Sequence, residues 1–581
     1  MSLLSGHHEA PLFILLALTG LFLFQLYERK QRSAAEAVRF TAAYALVAVF
    51  AFLVAALQLL PAFEYGNDAY RWVGASAPVT SDVSVPYYVQ QAKRLFPVEL
   101  MGAVIPRAHF EASTFVGFFV LAMAIYALAA CWRLGWVRVY ACLGLGALVY
   151  ALGPLSFLHG WIYSFVPYAD KARTPDHAIF IAQFAVFLLA AHGIDHLFSD
   201  AREDFLAQRW LLYLERTLLA MGALTWVFLL DRVVDAKMDA VPDQIMVAGL
   251  TAFVLAALLH GLRRGLISAP AARTAFLLLM VFEMSVAAWR EMPHREQPEG
   301  GKYLVRLSEH KDVMEFLKIQ PRPFRFEMFR EGQTVNLGDW EGVESSDGYL
   351  ASVSGALYDF LGRDWYRHKL MLNTVYTIAK EPRRPEQVEV FSGRNGWKVF
   401  RNPDAFPRAW IVHDTADIES PKGSMGVPPE PEACEGEETA AFEYLGMQRT
   451  RATVRLACAG YAIFADPLLP GWRARLDGAE VPIYRAHGAL RAIAVPGGQH
   501  QIEFLYRPMS VILGGALTAS GFLACGVLAL LGWRRGELLQ FTEVSRVRSD
   551  EVVAAERALE AKAAAASREG AHEGKFEAGR P

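Results

Sequence analysis

Over the first half of the chain, long uncharged apolar runs alternate with short polar loops. The second half shows short alternating segments, and one further apolar run returns near the end. A bilayer-spanning helix needs about 20 consecutive, mostly apolar residues, because its backbone groups must be satisfied within the segment. Thr114 to Cys131, Met509 to Trp533 and Phe40 to Phe63 carry no charge at all. Pro11 to Tyr27, Val139 to Leu158, Ala178 to Phe198, Trp210 to Leu230, Ile245 to Leu262 and Thr274 to Trp289 follow the same pattern, with at most an isolated polar residue or an interrupted end. The pattern predicts a polytopic α-helical membrane protein of about nine spans, eight before Arg290 and one alone near the C-terminus.

Orientation follows from the basic residues of the short loops, which are retained on the cytoplasmic side. Read in alternation, Glu28 to Arg39, Trp132 to Arg138, Arg263 to Arg273 and the flank Trp533-Arg534-Arg535 share the basic side, whereas Asp231 to Gln244 is net acidic and lies opposite. The C-terminus is therefore expected in the cytoplasm, and Glu291 to Pro508 outside it. Nine spans then leave the N-terminus outside; Met1 to Ala10 carries no Lys or Arg and is not a signal-peptide start.

The outer segment changes period. Asp312 to Lys318 is amphipathic at helical spacing, Pro323 to Phe329 alternates as a strand does, and Ser352 to Leu361 suggests a second short helix. Strand-like runs follow at Thr374 to Ile378, Val388 to Phe391, Trp397 to Arg401 and Ala409 to His413. Tyr461 to Ala465, Arg473 to Leu476, the turn Asp477-Gly478, Val481 to Tyr484, Leu490 to Val495 and Gln501 to Tyr506 predict a small antiparallel β-sandwich. The expected divisions are a membrane bundle at 1–290, an α+β region at 291–413, a Pro/Glu/Gly-rich linker or long loop at 414–440, the sandwich at 441–508, the last span at 509–533 and a cytoplasmic, partly disordered tail at 534–581.

Composition agrees with two unlike halves: 54% hydrophobic and 20% charged residues, against about 45–50% and about 25% in soluble chains. With 57 basic and 60 acidic side chains, the chain is neither a generally basic nucleic-acid binder nor an acidic disordered one. No CxxC, P-loop or GxGxxG in a strand-turn-helix context occurs, which leaves zinc, ATP and dinucleotide chemistry without support. His7-His8-Glu9 is too short a motif to indicate a metal site. Cys131, Cys142 and Cys525 fall in apolar runs; Cys434 and Cys458 flank a plausible outer strand pair and are the candidate disulfide.

The run Ala465-Asp466-Pro467-Leu468-Leu469-Pro470-Gly471-Trp472-Arg473-Ala474, with Leu476-Asp477-Gly478, Ala489-Leu490-Arg491-Ala492 and Val495 to Pro508, resembles the C-terminal signature of the YfhO family of bacterial membrane proteins. Gln58 to Pro61, Thr114 to Gly117, Arg173-Thr174-Pro175, Gly348-Tyr349, Arg401-Asn402-Pro403 and Pro407-Arg408-Ala409 agree in order. The resemblance implies a protein similar to GT-C glycosyltransferases, which take sugar from a polyprenyl-phosphate donor at the outer membrane face and act in cell-envelope glycan or glycolipid assembly. Proteins of that kind carry further helices and an acidic loop residue at the N-terminus. This chain starts later, so the resemblance places no catalytic carboxylate in it and allows for a partner chain supplying the missing helices.

Such transfer needs a carboxylate to take the acceptor proton and cations to stabilise the departing phosphate. The outer loops offer Asp170, Asp176, Glu64 and Asp68 as candidate catalytic carboxylates, and Arg173, Lys171, Arg71 and Arg107 as candidate phosphate-binding residues, with Arg94 and His177 nearby in sequence. Ordinary solvated or headgroup-contacting roles compete for all of them. A divalent metal is compatible with the chemistry, but no residue pattern supports one. Glu283, inside the eighth run, either holds the bundle through a polar contact or lines a polar cavity. His192 and His260 read as interfacial or packing residues. Trp472, Tyr461, Tyr484 and Tyr506 read mainly as core, with Trp472 the best candidate for exposure to a sugar. The competing function is non-catalytic: a membrane scaffold or envelope-assembly partner that binds glycans. A transporter is weaker, because no internal repeat or paired broken helices are found.

Overall fold

A computed structural model describes residues 9–105, 114–199, 204–234, 241–291, 307–328, 336–350, 352–420, 436–446 and 448–534. In chain order, the helical part comprises α1 (Glu9–Arg32), α2 (Ala34–Asp68), the short strand β1 (Ala69–Arg71), α3 (Tyr87–Ala92), α4 (Phe118–Ala130), α5 (Gly135–Ala151), α6 (Phe157–Phe165), α7 (Ile179–Ser199), α8 (Phe205–Val234), α9 (Val241–Arg263) and α10 (Ala269–Glu291). Together with the C-terminal α15 (Met509–Arg534), seven helices among the described residues are long and apolar enough to cross a membrane: α1, α2, α7 to α10 and α15. The chain is a multi-pass membrane protein.

Two of the apolar runs form shorter helices. α4 has 13 residues and is largely buried, with Phe119, Met123 and Tyr126 packed in a core with Leu189 of α7, Leu211 of α8, Leu255 of α9 and Phe276 of α10. α5 has 17 residues and stops at Ala151. The expected single span from Val139 to Leu158 is broken by Gly153, which adopts φ +56, and by Pro154, whose ring cannot continue the ladder. The chain makes a 3-10 turn over Gly153–Leu155 and restarts as α6, where Ser156 Oγ accepts from the Leu158 amide at 3.1 Å.

The described residues pack as two compact units, one drawn from 9–42 and 58–511 and one from 43–57 and 512–534. In the second, small residues of α15 meet the middle of α2: a Cβ on Gly514 would lie 2.7 Å from the Ala56 carbonyl oxygen, and one on Gly521 2.9 Å from the Leu53 Cβ. The Leu57 amide donates to Thr518 Oγ1 at 3.0 Å, an additional tie between the helices.

Within the first unit, the domain between α10 and α15 begins with α11 (Lys311–Lys318), β2 (Arg325–Met328), α12 (Leu337–Glu341), β3 (Ser352–Ser354), α13 (Gly355–Arg363) and α14 (Trp365–Met371). It continues with β4 (Thr374–Ala379), β5 (Val388–Ser392) and β6 (Lys398–Arg401). A four-stranded sheet, β2-β4-β6-β5, packs Phe326, Ile378 and Val399 against Val313, Met314 and Leu317 of α11, the helical spacing seen in the sequence. Ser352 to Leu361, expected as one helix, starts as strand β3, because Ser352, Val353 and Ser354 pair antiparallel with Arg71, Tyr70 and Ala69 of β1.

The sandwich strands are β7 (Ala409–Val412), β8 (Ile418–Glu419), β9 (Thr439–Gly446), β10 (Arg449–Leu456), β11 (Gly460–Pro467), β12 (Trp472–Leu476), β13 (Ala479–Val481), β14 (Tyr484–Ala486), β15 (Leu490–Val495) and β16 (Gly498–Tyr506). They form two five-stranded sheets, β13-β12-β16-β10-β9 and β7-β11-β15-β14-β8, with Val454, Phe464, Ile493, Ile502 and Phe504 in the core. β7 and β8 come from before residue 421, so the sandwich draws in the end of the expected α+β region and part of the expected linker. Asp477 and Gly478 both have positive φ, at 49° and 88°, and close the β12–β13 hairpin as the sequence predicts.

Candidate functional site

The loops on the side where α1 and α7 begin are laced together over a long sequence span. The Arg71 amide donates to the Val79 carbonyl at 2.8 Å, and the Val79 amide returns to Arg71 at 2.9 Å. Val73, Val85 and Val89 form a small core beneath this turn. The Val85 amide reaches the Asp170 carbonyl at 2.9 Å, and Gln90 Nε2 donates to the Ala172 carbonyl at 2.7 Å. These bonds bring Arg71 of β1 to the loop that precedes α7.

Glu9, in the first turn of α1, is buried and gathers that loop. Its Oε1 accepts the Arg173 amide at 2.6 Å and the Thr174 amide at 3.2 Å, Thr174 Oγ1 donates to its Oε2, and His177 Nδ1 lies 3.3 Å from Oε2. Two amides and a hydroxyl fixed on one carboxylate hold Arg173-Thr174-Pro175 in a single conformation. Asp170 accepts from Ser84 Oγ at 2.5 Å and lies 3.4 Å from Lys171 Nζ, which donates to the Asp82 carbonyl at 2.7 Å. The Arg173 side chain is exposed.

The Arg71 guanidinium is the least compensated cation of the group. Its Nε and Nη2 are buried with no hydrogen-bond partner. Burial lowers its pKa from the ordinary arginine value; the Glu9 and Asp170 carboxylates oppose that shift, and the Arg173 cation adds to it. Arg94 is similar in kind, with Nε buried and unpartnered and the guanidinium 4.8 Å from the Phe96 ring centre.

Of the residues selected from the sequence, Arg71, Asp170, Lys171, Arg173, Asp176 and His177 therefore belong to one set of loops, with Asp176 buried and its amide on the Lys93 carbonyl at 3.4 Å. Glu64 and Asp68 do not lie just beyond the second span, because α2 runs on to Asp68. Glu64 accepts from Ser510 Oγ at the start of α15, and Asp68 is exposed at the end of α2. Arg107 and Cys434 lie outside the described residues. Cys458 Sγ stands 3.6 Å from His413 Nδ1. Among the described residues, no group of three or more His, Cys, Asp or Glu has the geometry to hold a metal ion.

Glu283 makes a polar contact within the bundle. Its Oε1 accepts the Phe118 amide at 2.8 Å and its Oε2 the Phe119 amide at 3.0 Å, so α10 supplies the N-terminal cap of α4. The hollow beside it is otherwise lined by Val104, Phe115, Val247, Ala248, Thr251 and Val286. His260 is a hydrogen-bond partner: its Nδ1 lies 2.7 Å from Glu215 Oε1 of α8, whose other oxygen pairs with Arg263 Nη2 at 3.0 Å, pinning α8 to α9.

The domain between α10 and α15 holds a second cluster, to which Asp466, Arg408 and Arg491 come from the quoted sequence runs and Arg325 and Glu344 from elsewhere. Asp466 Oδ1 accepts Arg325 Nη2 at 2.6 Å and Arg408 Nη2 at 2.7 Å, while Oδ2 accepts Arg491 Nη2 at 2.6 Å. Glu344 adds a carboxylate 2.9 Å from Arg408 Nη1. Burial alone would push the Asp466 carboxyl up, but Arg408, Arg491 and Arg325 outweigh it and hold the group well below the usual carboxylate range. Trp472 is not an exposed platform: the Arg491 guanidinium covers its ring at 4.0 Å, and Tyr506 packs against it at 4.9 Å.

Glu9 went unassigned in the sequence, where it was visible only as the end of a weak metal motif. The usable signal was its place as a lone acid directly before an apolar run. No family model, no curated protein and no solved structure matches this chain.

Proposed function

We propose that the protein is a GT-C-like membrane glycosyltransferase of the YfhO kind, with nine spans. It would sit in a bacterial cytoplasmic membrane, its outer domain extracytoplasmic and its C-terminus cytoplasmic. The observation that carries this reading is Arg71, a half-buried cation whose Nε and Nη2 are buried without a hydrogen-bond partner, beside Asp170 at the loop face. In this reading the phosphate of a polyprenyl-phosphate sugar lies against Arg71, Arg173 and Lys171. Asp170 takes the proton of an acceptor hydroxyl as that oxygen bonds to the anomeric carbon, and the bond to phosphate breaks with its electron pair leaving on the phosphate oxygen. Glu9 is a positioning residue that keeps the Arg173 loop in place.

The test is transfer from radiolabelled polyprenyl-phosphate hexoses in membranes of a strain lacking its own copy, with envelope glycans followed by mass spectrometry. Arg71→Ala and Asp170→Asn are each expected to lower transfer by about 100-fold or more, the usual effect of removing an electrostatic or acid-base group. Unchanged transfer and unchanged glycans in both variants would overturn the enzymatic reading. One observation favours the non-catalytic alternative, a glycan-binding assembly protein. A concavity in the outer domain is lined by Arg325, Asn336, Asp339, Glu344, Ser345 and Asp347, groups suited to sugar hydroxyls. Retained glycan binding by the full chain with no transfer in any assay would select it.

A further inference from the structure

Between Arg138 and Asp170 the chain carries no acidic or basic side chain other than His159. α5 occupies the first part of this stretch, and α6 lies beyond the Gly153-Pro154 break, separated from α5 by five residues. α6 has two unlike faces. On one, His159 is fully buried against the rings of Tyr150 and Tyr87 at 5.0 and 5.4 Å, and Tyr163 Oη donates to the Val85 carbonyl at 2.9 Å. On the other, Phe157, Trp161 and Phe165 recur every four residues and are 76%, 65% and 79% exposed. Leu155 before the helix and Tyr168 after it extend the same uncovered apolar character.

Water does not accommodate such a ridge cheaply, and an apolar phase is at hand. α5 leads into α6 from the bundle, and the loop after it enters α7, a helix of membrane-spanning length and composition. The first charges met after the ridge are Asp170, Lys171 and Arg173. Aromatic residues followed at once by cations are the order in which a chain passes from the acyl boundary to the headgroup phosphates.

We infer that α6 is an interfacial helix lying in the bilayer plane, with its Phe157-Trp161-Phe165 ridge bedded in the acyl boundary and Lys171 and Arg173 at the level of the lipid phosphates. The buried face of the same helix carries the contacts to Tyr87 and Val85, so the membrane seats the loop set that contains Arg71. The assignment is independent of the transferase reading and stands or falls without it.

The full chain, with its native cysteines replaced, is labelled with the fluorophore NBD at Phe157→Cys, Trp161→Cys or Phe165→Cys. It is reconstituted into phosphatidylethanolamine–phosphatidylglycerol vesicles containing lipids with nitroxides at acyl carbon 5 or 12. Glu480→Cys, exposed in the β12–β13 hairpin region, is the aqueous control. The expected result is blue-shifted emission at all three ridge positions, at least twofold stronger quenching by the shallow nitroxide than by the deep one, and no lipid quenching at Glu480→Cys. Ridge labels that behave like the control would overturn the inference. So would blue-shifted labels that lipid nitroxides leave untouched but that self-quench with labelled neighbours, because the ridge would then be covered by a second copy of the chain.

Discussion

Two groups of arginines in the same compact unit meet the cost of desolvation in opposite ways. In the sandwich, Arg325, Arg408 and Arg491 converge on the two oxygens of Asp466, Glu344 sits on Arg408, and aromatic rings close over Arg491. In the loops before α7, Arg71 has no hydrogen-bond partner on Nε or Nη2, while the Glu9 carboxylate is spent on backbone amides and Thr174. A carboxylate shared among three guanidiniums fixes a fold, although Arg408 and Arg491 each keep an unbonded Nε. Charge held near carboxylates but not bonded to them keeps capacity for something else, and Arg71, just past the end of α2, is such a cation.

The largest expected effect tests the closed half. Asp466→Asn removes the carboxylate shared by Arg325 and the buried Arg408 and Arg491, and should destabilise the domain between α10 and α15 by about 3–5 kcal/mol. Denaturant unfolding of the full chain in detergent, read by tryptophan fluorescence, measures it. By contrast Arg71→Met should leave stability within about 1 kcal/mol of wild type, because it removes an incompletely paired buried cation. A loss equal to that of Asp466→Asn would show that both clusters are structural.

The pH response sharpens the same contrast. The folded Asp466 carboxyl titrates below its ordinary value of 3.8, so the unfolded chain binds the extra proton and stability rises with pH across that window. The contribution is complete above about pH 5 and is lost as pH falls through and below the ordinary aspartate value. Melting curves between pH 3 and 7 should show this loss in wild type and a smaller one in Asp466→Asn. A modest effect is expected at Glu283→Gln, where the single amide oxygen can accept from only one of the two α4 amides and the charge is gone, at about 1–2 kcal/mol by the same unfolding assay.

Much of this architecture was legible in the sequence because it depends on local pattern. The seven long apolar helices, the α11 spacing of Val313, Met314 and Leu317 and the Asp477-Gly478 hairpin each follow from neighbours within a few residues. The break in the Val139 to Leu158 run was also local, but an uninterrupted lack of charge outweighed one Gly-Pro pair. The residues that make the clusters were not legible as clusters. Arg408 and Arg491 lie 58 and 25 positions from Asp466, and Glu9 lies 164 from Arg173, so no periodicity links them. The loop acids and bases were found by type and placement, which selected Arg71, Asp170, Lys171 and Arg173 together with Glu64 and Asp68. Only the fold separates them, because Glu64 and Asp68 belong to the last turns of α2.

The pairing of β1 with β3 sets an order of assembly during synthesis. Arg71 lies opposite Ser352 in that ladder, so the strand carrying Arg71 leaves the ribosome some 281 residues (352 − 71) before its partner exists. Until the later segment is made, the backbone at Arg71 has only Val79 to pair with. The edge of β1 thus stays unpaired in a newly made chain until β3 has been synthesised.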